Sequence, residues 1–290
     1  MERKLLWGAL AAMLAQCAVT SPAKWSRPFA AHRVVGNVYY VGTYDLACFL
    51  IVTPGGNILI NTGLADSAPL IRQSMADLGF KLEDVRWLLT TQAHYDHVAA
   101  MAEMKRLTGA RLLASRADAV LLEDGGKSDF HFGPEYGYAP VKVDQRIGDG
   151  ETLRLGGVEL TAYLHAGHTR GSMSYGLTVA EGGKKYRVLI ANMGTINPGV
   201  KLLANARYPG IAGDYARTFE RQKALACDIF LSSHASQYGL HRKYTPGAAY
   251  DPERFVDPDG YRRAVAGAEA NYRRQLAEER AGKSARPLRK

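Results

Sequence analysis

A histidine-bearing loop follows a strand-like apolar run at three separate places in this chain, and that repetition constrains the fold more than any other feature. The first loop is Thr90-Thr91-Gln92-Ala93-His94-Tyr95-Asp96-His97. It is entered from Val85-Arg86-Trp87-Leu88-Leu89 and followed by small and apolar residues at helical spacing from Val98 to Leu107, with Gly109 as a stop. His168 lies 71 residues beyond His97, in Ala166-Gly167-His168-Thr169-Arg170-Gly171-Ser172, after the run Val158 to Leu164. His234 comes 66 residues later, in Ser232-Ser233-His234-Ala235-Ser236, after Ile229 to Leu231. One such loop is what a polar turn with surface histidines also looks like. Three at strand ends predict loops meeting at a sheet edge, where a rigid scaffold presents side chains. Imidazoles with a carboxylate suit a borderline cation such as zinc.

These pieces resemble the metallo-β-lactamase superfamily, whose signature is H-x-H-x-D-H followed by two distant histidines. The resemblance runs from about Val34 to the end of the C-terminal helix. Within the superfamily it is most similar to class B, third subclass, and to its GOB-like branch, where glutamine replaces the first histidine, as Gln92 does here. Gly125-Gly126-Lys127-Ser128-Asp129, Ala191-Asn192-Met193 and Ser233-His234-Ala235-Ser236-Gln237 read like the same branch. The fold implied is α/β, a four-layer αββα sandwich with two facing sheets and helices outside.

The net charge of +9 raises the question of nucleic acid. From Tyr261 to Lys290 there are nine Lys or Arg against three Asp or Glu, so most of the excess belongs to the last 30 residues. No aromatic-studded basic groove accompanies it, which predicts a solvated basic helix and tail and no nucleic-acid partner. At the other end, Arg3-Lys4 precede the apolar run Leu5 to Leu14, too short to span a bilayer as a mature helix. Residues 1–23 therefore read as a signal peptide ending at Ser21-Pro22-Ala23, with a lipid anchor at Cys17 as the alternative. The expected product is a periplasmic enzyme, monomeric, with one domain over residues 24–290. Cys48 and Cys227 both flank apolar runs and are expected as buried free thiols rather than a disulfide.

Along the chain, strands are expected at Arg33–Tyr40, Ala47–Thr53, Asn57–Asn61, Arg111–Ala114, Thr152–Leu155, Val158–His165, Ser174–Leu177 and Tyr186–Ala191. Helices are expected at Leu64–Leu78, from Ser115 as cap through Leu122, from Asp214 as cap over Tyr215–Ala226, and at Tyr261–Arg280. Asn61 stands where the superfamily commonly has Asp. A neutral amide there can hold a loop but lowers the negative field. Glu123 to Pro140, rich in glycine and aromatics, is irregular and by resemblance lies along the active-site rim. His131 reads as a loop residue, His165 as packed at its strand end, His241 as near the site or on the surface, and His32 as surface. Tyr95 and Tyr238 are candidates for the groove or for core packing.

The resemblance sorts the donors into two metal positions. The second takes Asp96, His97 and His234, three protein donors that leave room for water or substrate. The first takes His94, His168 and Gln92. An amide oxygen is a weaker zinc donor than an imidazole nitrogen, so the second position is expected to fill first, with one or two zinc ions per chain. Asp96 has a further role, orienting the water that attacks a strained cyclic amide. Thr195 is a candidate donor to the substrate carboxylate. The function implied is zinc-dependent hydrolysis of β-lactam antibiotics, conferring resistance. The alternatives are another hydrolase of this fold acting on a thioester, lactone or phosphodiester, and a non-catalytic metal- or nucleic-acid-binding protein. The bridging carboxylate of related binuclear hydrolases is missing near Met193, which disfavours the first alternative.

Overall fold

A computed structural model describes residues 21–282. Most of the leader segment, Cys17 and the end of the basic tail lie outside the described residues. Seven strands form the first sheet in chain order: β1 (His32–Val35), β2 (Val38–Tyr40), β3 (Phe49–Ile51), β4 (Asn57–Ile60), β5 (Val85–Leu89), β6 (Arg111–Ser115) and β7 (Gln145–Ile147). It is antiparallel through β4 and parallel from β4 to β7. The second sheet contains β8 (Thr152–Leu155), β9 (Val158–Leu164), β10 (Met173–Glu181), β11 (Lys184–Ala191) and β12 (Ile229–Ser232), with only β12 parallel to its neighbour.

Strand alternation decides which face each residue joins. Phe49, Ile51, Ile58, Ile60, Leu89 and Leu113 enter the core shared with the second sheet. Leu50, Leu59, Leu88 and Leu112 enter a separate cluster under the outer helices. That cluster packs α1 (Ser67–Asp77), α3 (Met101–Thr108) and α4 (Arg116–Asp124), which follow β4, the short α2 (Tyr95–Val98), and β6. On the far side, α5 (Ile211–Ala224) and α8 (Pro258–Arg280) cover the second sheet through Tyr215, Phe219, Tyr261, Val265 and Tyr272. Between them run α6 (Ala235–Tyr238) and α7 (Leu240–Lys243). The four-layer αββα sandwich is as expected. Among the described residues no helix is long and apolar enough to cross a membrane.

Several local expectations differ from what the chain does. The helix expected from Val98 is broken between α2 and α3, because the backbone there turns to bond a neighbouring loop. Thr62 N donates to the His97 carbonyl at 2.8 Å and Ala99 N to the Gly63 carbonyl at 3.0 Å. Asp214 is not a cap: α5 begins after Gly210, and the Asp214 carboxylate accepts from the Tyr208 hydroxyl at 2.7 Å and from Arg217. β10 and β11 are longer than the apolar pattern suggests, since Gly182 and Gly183, both at positive φ, close a hairpin whose tip is polar. His32 is buried and stacked on Tyr244, with ring centroids 3.7 Å apart, and burial lowers its pKa to about 4. An imidazole held neutral packs as a flat aromatic, which composition did not reveal. Cys48 and Cys227 are free and buried, one in the helix-side cluster and the other in the central core.

Candidate metal centre

The three histidine loops are stapled together at one end of the sandwich by their own backbones. Met173 N, at the start of β10, donates to the Thr91 carbonyl at 2.8 Å, and the Tyr175 hydroxyl donates to the Thr90 carbonyl at 2.9 Å. These bonds tie the second sheet to the loop leaving β5. Ala47 N donates to the Ser233 carbonyl at 2.9 Å, and Thr91 Oγ1 meets Ser233 Oγ at 2.9 Å, which brings in the loop leaving β12. Asn61, in a left-handed conformation, sits beneath them. Its side-chain Oδ1 accepts from Thr91 N, Thr91 Oγ1 and Thr90 Oγ1, and its side-chain Nδ2 donates to the Ala47 carbonyl. The amide does the work of holding the loop without adding charge.

Asp96, His97 and His234 form one compact group. Asp96 Oδ2 lies 3.2 Å from His97 Nε2 and 3.4 Å from His234 Nε2, and one donor atom from each residue falls within 4.8 Å of the others. Burial alone would raise the Asp96 carboxyl, but the two rings beside it hold it well below the usual carboxylate range. Burial lowers His97, against the pull of Asp96. His234 behaves oppositely. Burial would lower it, but bonds to Asp45 and Asp96 raise it to about 9.

His94 and His168 form a second group, with His94 Nδ1 and His168 Nε2 3.2 Å apart. Two nitrogens bound to one tetrahedral zinc lie roughly 3.3 Å apart, so this spacing is that of two ligands to one ion. His168 Nδ1 donates to the Thr195 carbonyl at 2.8 Å, which leaves the Nε2 lone pair facing His94. The Tyr215 hydroxyl donates to the same carbonyl. Burial and the neighbouring His94 lower the pKa of His168 to about 3, so it is a neutral donor. Gln92 is 3 % exposed, and its side-chain oxygen has no hydrogen-bond partner among the described residues. A buried amide oxygen without a partner is costly unless something else satisfies it. His97 Nδ1 and Nε2 are likewise buried without a hydrogen bond. Orphaned donors around two compact groups fit cation binding.

Three carboxylates behind the groups were not assigned roles from sequence. Asp45 lies 3.6 Å from His234 Nδ1 and also bonds Lys24, Trp25 Nε1 and Ser236 N. Asp129 Oδ2 lies 3.3 Å from His94 Nε2. Asp118 accepts from Ala93 N at 2.9 Å, Thr169 Oγ1 at 2.9 Å and Gly171 N at 3.0 Å, clipping the loop of His94 to the loop of His168. Gly171 is required there, because a Cβ would stand 2.1 Å from Ser115 Oγ. In the sequence Asp45 and Asp129 each stand beside an aromatic, Tyr44 and Phe130, whereas Asp118 lies between two alanines and carries no signal.

The remaining candidates divide between the surroundings of the His94–His97 loop and the core. Tyr95 is half-buried and faces Trp25, Phe132 and Tyr136 with centroids 5.0 to 6.3 Å away. Phe132 and Tyr136, from the 123–140 stretch, therefore stand against the loop that carries His94 and His97. Tyr238 is core, packed against Phe49 and Phe230. Thr195 is exposed, with its hydroxyl 3.3 Å from His168 Nδ1. His165 is buried and bonded to Ser174 Oγ, and His241 stacks on Tyr44. His131 is a loop residue beside Phe130 and Phe132.

A family model described as the metallo-beta-lactamase superfamily matches residues 42–181. Among solved structures, a beta-lactamase from Chitinophaga pinensis superposes with a TM-score of 0.88 at 44 % identity, covering 90 % of this chain and 99 % of that one. The class B3 di-zinc metallo-beta-lactamase LRA-12 from an Alaskan soil metagenome gives 0.87 at 46 % identity, with 89 % and 98 % covered. The metallo-beta-lactamase GOB-18 from Elizabethkingia meningoseptica gives 0.87 at 42 %, with 90 % and 97 % covered. Curated relatives match over a shorter span. A probable metallo-hydrolase of Burkholderia pseudomallei is 32 % identical over 44 % of this chain, and the match spans only 42 % of that relative's length.

Proposed function

The chain belongs to the metallo-β-lactamase superfamily, and from that premise we propose that it is a zinc-dependent β-lactamase that opens the β-lactam amide with an activated water. The observation that carries this reading is the pairing of two compact donor groups at one sheet end. It stands in a chain at least 42 % identical to three lactamases over nearly their whole length. Asp96, His97 and His234 would hold one ion, and Gln92, His94 and His168 the other. When bound, zinc lowers the pKa of water and acts as a Lewis acid toward the departing amide nitrogen.

The rest is performed by the chain's own groups. Asp96, kept ionised, accepts a hydrogen bond from the attacking water and turns its lone pair toward the amide carbon. The Thr195 carbonyl orients His168. The exposed Thr195 hydroxyl donates to the carboxylate that β-lactams carry beside the ring. The stretch after β11 offers buried Met193 and neutral Asn192 and no carboxylate to bridge two ions, which disfavours phosphodiester or thioester chemistry. Tyr95, Trp25, Phe132 and Tyr136 give the groove an apolar rim suited to a bicyclic substrate.

Export to the periplasm, cleavage after Ala23 and a monomeric state belong to the same reading. Cleavage there leaves Lys24 and Trp25, both bonded to Asp45, in the mature protein. Purified protein should hydrolyse nitrocefin, lose that activity in EDTA and regain it with zinc. A zinc-loaded protein that turns over hydroxyacyl thioesters and leaves nitrocefin intact would overturn the proposal.

A further inference from the structure

We propose that Asp129 is the positioning residue for the first metal position, acting through His94. It fixes which ring nitrogen of His94 is free to bind and so offsets the weak amide donor at Gln92. This rests on the ligand assignment made above, though not on the identity of the substrate.

The argument starts from the two edges of the His94 ring. Nδ1 faces His168 Nε2 at 3.2 Å, and His168 uses its own N–H, on Nδ1, to donate to the Thr195 carbonyl. Nδ1 must therefore be unprotonated when both rings bind one ion, which leaves the single ring proton on Nε2. On that edge lies Asp129 Oδ2 at 3.3 Å. Neither atom has another partner among the described residues, and the two side chains are 2 % and 3 % exposed. A buried N–H and a buried carboxylate oxygen with nothing else to satisfy them make a pair by elimination.

Asp129 is itself held rigidly. Its other oxygen, Oδ1, accepts from His131 N at 2.9 Å and Phe132 N at 2.6 Å, and its backbone carbonyl accepts from Arg207. The Phe132 ring stands edge-on to His94 with centroids 4.7 Å apart, so the same turn supplies both the acceptor and a wall. A carboxylate accepting the distal proton of a ligating imidazole sets its tautomer and raises its basicity, and losing such a partner costs 10–100-fold in metal affinity. The benefit is greatest where a neighbouring donor is poor, and Gln92 offers only an uncharged oxygen.

The test is a stepwise titration of metal-free protein with Co(II) and Zn(II), for wild type and Asp129→Asn. In the variant an N–H faces an N–H, while the bonds to His131 N and Phe132 N survive. The first, tighter step should be unchanged. The second, weaker step should lose about 10- to 100-fold relative to the first, whatever the variant costs the thermal midpoint of the metal-free protein. A weaker step equal to that of wild type, or a wild-type protein that accepts no second equivalent, overturns the proposal. Should Asp129→Asn not fold, the zinc-loaded wild type decides by nitrogen-15 NMR. His94 must show an Nε2–H protected from solvent exchange, and a proton exchanging as fast as that of an open imidazole overturns the assignment. Neither measurement uses substrate. Metal binding as described without nitrocefin turnover defeats the lactamase reading alone, and turnover with an unaltered variant titration defeats this inference alone.

Discussion

The two proposed donor groups stand at the same end of the sandwich and differ in charge. Asp96, His97 and His234 contain a carboxylate, and Asp45 adds another behind His234. Gln92, His94 and His168 are a neutral set, backed by a backbone carbonyl at His168 and by Asp129 at His94. The neutral set is buried throughout, while the anionic set is buried except for His234, which is partly exposed. A divalent cation entering a buried site loses much of its hydration, and an anionic ligand compensates for that better than an amide does. On the proposed assignment, the difference means that the two positions should not be equally occupied, although both lie at the same sheet end. The neutral position depends on precise orientation of its few good donors, whereas the anionic one carries its own field.

The largest test of that contrast is Asp96→Ala. It removes the charge of the anionic group together with the water-orienting oxygen, and turnover should fall roughly 10³-fold or more along with one metal equivalent. Steady-state rates with elemental analysis measure both. Asp45→Asn should come next, weakening the same position by about 10- to 100-fold and leaving the neutral one alone. A loss at both positions would mean that Asp45 acts by holding the fold and not by orienting His234.

Asp118 probes the neutral side, because its clip joins the loops of His94 and His168. Asp118→Asn leaves one buried backbone N–H unpaired, and metal-free stability at pH 7 should drop by about 1–3 kcal/mol in urea unfolding. The pH dependence has a definite sign. Burial raises the Asp118 carboxyl to about 6, against bonds from Thr169, Ala93 and Gly171. A folded-state value above the unfolded one means that its contribution is full below about pH 4 and is lost as the pH rises through 6. Wild type should therefore gain on the variant by up to about 3 kcal/mol between pH 7 and pH 4. A gap that stays constant across that range would show that Asp118 keeps an ordinary pKa. The smallest effect is expected at Gln92. Gln92→Ala should lower activity only a few-fold, and Gln92→His should tighten the neutral position by about tenfold. Equal losses in Gln92→Ala and Asp96→Ala would erase the distinction between the two groups.

Much of this was legible along the chain because it is local. Apolar runs of strand length followed by histidine loops located β5, β9 and β12 and the residues that leave them. The misreadings are equally physical. Asp214 looked like a cap, but the helix had already begun at Ile211 and the carboxylate served Tyr208 instead. His32 looked like a surface residue because nothing nearby in sequence shows that Tyr40, Tyr244 and Phe255 will enclose it. The break after Val98 depends on a backbone bond from a different loop.

By itself the sequence determined which donors exist and at which strand ends, since donor chemistry and hydrophobic period are carried by neighbouring residues. Only the tertiary structure decided which carboxylate stands behind which imidazole. Asp45 meets His234 across most of the chain, and Asp129 reaches His94 from a turn with no regular period. A hydrogen bond is satisfied or lost within a few tenths of an ångström, and contacts of that precision arise from packing whole layers together.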